Sequence, residues 1–299
     1  MMSTISIIGK PKLSVIIASQ NASRSIRDCL HSLIRQVVDG EVEIVVIDNS
    51  TDETTEIVKL EFPEIVLIEA DKKSLIPELW GVGIHESSGD YVALTTSHFV
   101  PADNWISEIL RAHKQPHAGV GGAIENAEQE GLVSWAIYFC RYSPYMLPFG
   151  AAEVEDFAAD NASYKRDDLD TVKEAMKDGF WETFVHKEMR AKEMTLVKLP
   201  EIIVYHRKSF TFAGFMKQRF WHGRQFGETL ASQIAASKRL ALILLSPLIP
   251  AIYLFRITRR VFGKKRNRDK LLVSSPILAL FLLSWSLGEF SGYLSGGKK

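Results

Sequence analysis

The chain has 299 residues, with 36 Lys and Arg against 36 Asp and Glu, so its overall charge points to no nucleic acid and no polyanionic partner. Two cysteines, Cys29 and Cys140, exclude a disulfide scaffold and a paired-cysteine metal knuckle, and suit a reducing compartment. The length allows one large domain or two small ones. Residues 1–12 show no basic segment followed by an apolar core, so no secretory signal is expected and the bulk of the protein is placed in the cytoplasm.

Taken in order, "LSVIIAS" (13–19) reads as a strand, and Ile26, Cys29, Leu30, Leu33, Ile34 and Val37 then form the stripe of an amphipathic helix. "EIVVID" (43–48) is the next strand, "ETTEIVKL" (53–60) a short helix, and "EIVLIE" (64–69) a strand. Pro77 to Glu86 reads as helix and "YVALT" (91–95) as strand. Strands alternating with helices predict a mostly parallel sheet covered on both faces. Beyond residue 125 the pattern loosens into an aromatic-rich stretch (134–150), "FAADNASYKRDDL" (157–169), a helix over 181–194 and a strand "EIIVYH" (201–206).

The tail has a different character. Leu240 to Phe255 is an uncharged run of 16 residues and Leu271 to Gly288 one of 18, about 24 and 27 Å as helices, slightly short of a hydrocarbon core of about 30 Å. Between Arg256 and Lys270 stand eight basic residues and one acid. Two buried soluble helices would also explain the apolar runs. The basic block, with Trp285 and Tyr293 near one end, favours two membrane segments joined by a basic loop over 256–270. The expected division is a catalytic domain over 1–210, an amphipathic interfacial helix over 211–238, and the membrane segments over 239–299.

The corner "TTSHFVPADNW" (95–105) closes a buried strand, which is where open α/β sheets place ligands. With the first hundred residues it carries a resemblance. "LSVIIASQNASRSIRDCLHSLIRQ…EIVVIDNSTDETTEIV" resembles the opening of the family 2 glycosyltransferases, which have the GT-A fold and begin "SVIIPTYN" and then "EIIVVDDGSTD". The resemblance extends, more weakly, to about Gly227. It implies an α/β GT-A domain that moves a sugar with inversion from a nucleotide-sugar donor. Here Ala18, Ser19, Gln20 and Asn21 stand at the "PTYN" position, and Asp48 and Asn49 open the "DDGSTD" position. By that alignment Asp48 emerges at the sheet edge to meet base or ribose, with Ser19, Gln20 and Asn21 lining the pocket. As an isolated residue Asp48 reads equally as an Asx-turn or helix-capping group.

Thr96-Ser97-His98 aligns with the family's metal-binding DxD motif. Thr96 is a poor cation ligand, since hard ions want charged oxygens. The resemblance leaves two options open: a Mn2+ or Mg2+ site built from His98 and the distal His206, or metal-free recognition of the diphosphate. It also implies a general base at Glu182, in Trp181-Glu182, where the family has "ED"; a solvated helix glutamate is the plain alternative. Asp160 and Asn161 stand where an orienting "GNNA" is usual, and Trp80 replaces an asparagine of "ARN.G". Gln218, Arg219 and Trp221 resemble the "QxxRW" segment of processive relatives, with Arg219 or Arg224 on the diphosphate; the same helix would also suit a membrane surface. The expected partners are a nucleotide-sugar donor, a lipid or glycan acceptor of the cell envelope, and the cell membrane, with the catalytic domain facing the cytoplasm. The alternative function is a catalytically inactive GT-A scaffold binding nucleotide or glycan at the membrane.

Overall fold

The computed structural model describes residues 9–37, 40–127, 131–207 and 210–296, and the sequence expectation for residues 1–8 lies outside them. The chain divides into two compact units, Met1–Ala127 with Tyr145–Arg207, and Glu128–Pro144 with Lys208–Lys299.

The first unit opens with β1 (Leu13–Ser19), α1 (Ile26–Ile34), β2 (Val42–Asp48), α2 (Thr54–Glu61), β3 (Val66–Glu69) and α3 (Ile76–Glu86). β4 (Tyr91–Thr96), β5 (Phe99–Pro101), α4 (Trp105–Ala112) and β6 (Gly119–Asn126) follow. After α5 (Leu132–Tyr142), which belongs to the second unit, come β7 (Ala152–Glu153), β8 (Ala162–Lys165), α6 (Arg166–Thr171), α7 (Glu182–Ala191) and β9 (Leu196–His206).

The strands form one mixed sheet in the order β3-β2-β1-β4-β8-β6-β9-β5, with β7 added on β9. The first four strands read from the sequence are its parallel block, and the fifth, over 201–206, is the end of β9. Along them Ile16, Ala18, Val45, Ile47, Val92 and Leu94 meet Leu79 and Trp80 of α3 and Val185 and Met189 of α7 in one core. The intervening Val15, Ile17, Val46 and Ala93 are equally buried. Both faces are therefore covered, as the unbroken apolar strands require.

β6 and β8 have no counterpart in the sequence reading, and β9 starts well before residue 201. β6 reads "GVGGAIEN", too rich in glycine to signal a strand. Its glycines are required by packing: a Cβ on Gly122 would stand 2.2 Å from the carbonyl oxygen of Ile202. β8 is antiparallel to both β4 and β6 and interrupts the parallel order, which resumes where β6 pairs with β9.

The second unit is helical: α5, α8 (Phe212–Gln233), α9 (Ala236–Leu245), α10 (Ile249–Lys264) and α11 (Arg268–Ser295), with a 3₁₀ turn Ser246–Leu248 between α9 and α10. The basic block, expected as a loop over 256–270, is helical through Lys264 and again from Arg268. Only the turn between them remains, with Lys265 and Asn267 left-handed (φ 56° and 53°). Two helices, Ala236–Lys264 and Arg268–Ser295, are long and apolar enough to cross a membrane. α8 and α11 lie with their backbones touching. A Cβ on Gly288 would stand 2.0 Å from Phe220 O, and one on Gly223 2.2 Å from Trp285 O. Such close approach is the use of small residues four apart on facing helices.

Candidate active site

The C-terminal ends of β1, β2 and β4 lie side by side, Ser19 opposite Asp48 and Ala18 opposite Thr96. The loops that follow are tied together by polar side chains. Asn21, in the left-handed region (φ 49°), accepts from the Thr51 N–H at 2.8 Å, and its own N–H donates to Ser50 Oγ at 2.7 Å. Ala22 N–H donates to Thr54 Oγ1 (2.9 Å) and Ser23 N–H to Asp52 Oδ2 (3.2 Å). Burial opposes ionisation of Asp52, but hydrogen bonds from Thr54 and Ser23 outweigh it and hold its carboxyl below the usual range.

Asp48 differs from the exposed edge carboxylate that the sequence suggests. It is fully buried, and its oxygens accept from Ser50 Oγ and Thr55 Oγ1, both at 2.6 Å. The Asx-turn reading thus describes its contacts, since the carboxylate fixes the loop that follows it. Asn49 faces the next segment, its Nδ2 donating to the carbonyls of Ser74 (2.7 Å) and Asp71 (3.3 Å).

Four buried polar atoms in this region have no hydrogen-bond partner: Ser19 Oγ, Asn49 Oδ1, Thr95 Oγ1 and Ser97 Oγ. They sit at or just past the ends of three adjacent strands. Register places Thr95 beside Ile17, and the Ser97 N–H donates to Ala18 O at 3.1 Å, so Ser19, Thr95 and Ser97 share one alternation along the strands. Buried polar groups are ordinarily satisfied, and a cluster of orphans at one sheet edge is a place built to be completed by something else.

Other expected residues have structural partners. Ala18 is in the core, and Thr96 is buried beside it. Trp80 is 3% exposed, and its indole N–H donates to Thr95 O at 2.8 Å, bracing the end of β4 from below. Asn161 is saturated: Trp105 Nε1 donates to its Oδ1 (2.8 Å), and its Nδ2 donates to Ala123 O (2.8 Å) and Ile202 O (3.0 Å). Asp160 precedes it in a 3₁₀ turn, half-buried, and Gln20 is half-buried past β1.

Glu182 is the first residue of α7, where the helix dipole favours negative charge. The segment before it is clamped to α3: Phe180 N–H donates to Pro77 O at 2.7 Å, and a Cβ on Gly179 (φ +106°) would stand 2.9 Å from the Glu78 backbone. With Trp80 bonded to Thr95, α3 links the Glu182 segment to the end of β4.

One cluster has no precursor in the sequence reading. His186, one turn after Glu182 and 1% exposed, lies between Asp156 Oδ1 and the Tyr164 hydroxyl, the latter at 2.7 Å from its Nε2. Burial pushes the Tyr164 hydroxyl well up, with Glu182 and Asp156 adding to it. The only sequence signal was the four-residue spacing from Glu182, in a helix otherwise rich in charge.

In the second unit, Arg219 lies over the rings of Phe215 (5.0 Å) and Trp285 (5.4 Å), with its Nη2 3.0 Å from His222 Nδ1. Burial, and next Arg141, push it down to about 10. Gln218 Oε1 beside it is buried without a partner, and Trp221 is half-exposed under the Arg224 guanidinium at 5.6 Å.

The family model for Glycosyl transferase family 2 matches residues 14–173, more than half of the chain and all of the parallel block. This chain belongs to that family. As a family 2 glycosyltransferase it is 36% identical over 101 residues to glycosyltransferase GlyA of Streptococcus pneumoniae serotype 4. That match covers 32% of this chain and only 14% of GlyA. Among solved structures it is similar to mannosyltransferase PcManGT of Pyrobaculum calidifontis, in complex with GDP-Man and Mn2+ (TM-score 0.52, 14% identity, 96% of this chain and 86% of that one). It is equally similar to S. aureus TarS 1-349 with UDP-GlcNAc (TM-score 0.52, 14% identity, 96% and 93%). At that identity the likeness shows the fold, which is GT-A.

The corner of this glycosyltransferase does not fit a Mn2+ or Mg2+ ion. His206 pairs across the ladder with Phe99 and packs on its ring at 5.4 Å, while His98 turns its Nδ1 to Ser25 Oγ at 3.2 Å. Among the described residues no group of three or more His, Cys, Asp or Glu is arranged to hold a metal. Thr96, Ser97, His98 and His206 themselves offer no carboxylate oxygen, which makes them a weak donor set for a hard cation.

Proposed function

We propose that this glycosyltransferase transfers a sugar from a nucleotide-sugar donor, with inversion, to a membrane lipid, lipid-linked or cell-envelope glycan acceptor. The observation that supports it most is the set of four unpartnered buried polar atoms at the ends of β1, β2 and β4. A nucleoside offers the missing donors and acceptors there, and the carboxyl ends of the strands are where α/β sheets take nucleotides. PcManGT and TarS, which share the fold, were solved with GDP-Man and UDP-GlcNAc.

In this reading Glu182 accepts the proton of the acceptor hydroxyl as its oxygen attacks the anomeric carbon. The bond from that carbon to the diphosphate oxygen breaks, and the oxygen leaves with the electron pair on the opposite side, inverting the centre. Hydroxyls of the Thr96-Ser97-His98 corner meet the diphosphate without a metal. Asp48, Asn21 and Ser50 hold the pocket's shape, and the apolar helices of the second unit keep the enzyme at a membrane on its cytoplasmic side. The test is a donor screen by nucleotide release, with and without candidate lipids. Release stimulated by one donor–lipid pair is expected. Absence of thermal stabilisation by every nucleotide in the panel would overturn the donor assignment.

A further inference from the structure

Two polar zones of the helical unit bracket an apolar stretch shorter than a hydrocarbon core. The first is the α10–α11 turn, with eight basic residues between Arg256 and Lys270. Arg260 Nη1 donates to Ser143 Oγ at 2.9 Å and Lys264 Nζ to Pro144 O at 3.5 Å. Ser143 and Pro144 directly precede Tyr145, where the chain passes to the sheet unit. The second zone is α8, which carries Lys217, Arg219, His222, Arg224 and Glu228.

α8 joins α11 at the level of Phe281, against which the rings of Phe212 and Phe215 pack at 5.5 and 4.6 Å. From there the two stay in contact: Ser284 Oγ donates to Met216 O at 2.8 Å, and a Cβ on Gly292 would stand 2.3 Å from Arg224 O. Any layer that holds the second half of α11 therefore holds the charges of α8 as well, which is costly in hydrocarbon. The first α8 charge to reach α11 is Arg219, over the Trp285 ring at 5.4 Å; between Lys270 and Trp285 lie 14 residues, about 21 Å of helix against a hydrocarbon core of about 30 Å. Were α11 to stand upright, one polar zone would sit inside the hydrocarbon.

The return arm has the same problem. Arg239, at its start, donates to the carbonyls of Tyr293 (2.5 Å) and Leu294 (2.9 Å), and Arg256 lies near its other end. The uncharged stretch between them is interrupted by the 3₁₀ turn Ser246–Leu248, whose Ser246 carbonyl accepts from Ser286 Oγ at 2.7 Å. Along this arm Leu240, Leu244, Leu248, Ile252 and Phe255, spaced by three or four residues, are each more than half exposed. An exposed apolar stripe beside a basic block fits the face of an anionic leaflet.

We propose that the helical unit is a monotopic anchor. It lies in one leaflet of an anionic phospholipid bilayer, with the basic turn on the headgroups and no residue crossing. The inference stands apart from the sugar-transfer reading and is tested without activity. In full-length protein lacking Cys140 (Cys140→Ala), reconstituted in vesicles, two double variants are labelled with a membrane-impermeant maleimide. They are Leu60→Cys with Gly263→Cys, and Leu60→Cys with Thr229→Cys. Leu60 is 81% exposed and a Cβ on Gly263 meets nothing within 4 Å, so these positions accept the change. Before detergent each molecule is expected to carry two labels or none. A population with one label at position 60 or 263 would establish a crossing and overturn the proposal, as would one label at 60 or 229. A second arm measures flotation with phosphatidylcholine vesicles with and without phosphatidylglycerol. Arg259→Gln with Lys265→Asn is expected to weaken binding to the anionic vesicles about twenty-five-fold, a factor of about five for each cation at the surface. Equal binding by wild type and variant would refute the headgroup contact.

Discussion

Asp48→Ala is expected to loosen the whole nucleotide edge and to cost stability as well as binding. The carboxylate is fully buried and accepts from Ser50 Oγ and Thr55 Oγ1 at 2.6 Å each. Ser50 Oγ in turn accepts from the Asn21 N–H at 2.7 Å, so one side chain ties the loop after β2 to the loop after β1. Truncation leaves two buried hydroxyls without an acceptor. A hydrogen bond to a charged group is worth about 1.5–3 kcal/mol, so the pair gives a loss of about 3–6 kcal/mol. In a unit of this size each kcal/mol moves the midpoint by about 2–4 °C, which puts the expected fall in Tm at roughly 6–24 °C. Asp48→Asn, which keeps one acceptor oxygen, should lose about half as much. Thermal unfolding followed by tryptophan fluorescence reads both variants, and nucleotide binding measured well below the transition reads the pocket. A Tm within about 2 °C of wild type for Asp48→Ala would refute the argument that this carboxylate is a structural tie.

Glu182→Gln should leave donor affinity intact while transfer falls by about two to four orders of magnitude; near-normal turnover would move the base elsewhere. Excess chelator should leave activity unchanged, because the corner's donors do not suit a hard cation; loss of activity restored by Mn2+ would refute that. His113 is buried, stacked on Tyr91 at 4.7 Å, and burial, then Lys165 and His117, push it down to about 3. Below the unfolded value near 6.5 the unfolded chain binds a proton that the folded one refuses, so stability is lost as pH falls from there towards 3. His113→Gln should flatten the dependence of stability on pH across that window by one proton, and denaturant titrations at several pH values check it. Gly288→Val should unfold or separate the α8–α11 pair, since its Cβ would meet Phe220 O at 2.0 Å, with faster proteolysis of the helical unit as the readout.

The parallel half of the sheet was legible because its signals are local. Uninterrupted β-branched strands, a helical stripe and a polar corner each lie within a few consecutive residues, and the family motif preserves their order. In the other half only the end of β9 was legible, because β6 is glycine-rich for a reason far away in sequence: Gly122 must admit Ile202 O. The candidate site divides in the same way. Residue types at the strand ends could be read in order, and Ser19, Asn49 and Ser97 do bring unpartnered atoms to one edge. Which side chains are already engaged was decided by tertiary contacts. Asn161 is consumed by Trp105, Ala123 and Ile202, and Asp48 by Ser50 and Thr55. His186 gains Asp156 and Tyr164, 30 and 22 residues away. In the tail, hydropathy alone identified the apolar stretches. That α8 lies against α11, so that its charges share whatever layer α11 occupies, depends on glycines of two helices meeting backbone to backbone. A one-dimensional pattern records each glycine, but it does not record the partner that makes the absence of a side chain necessary.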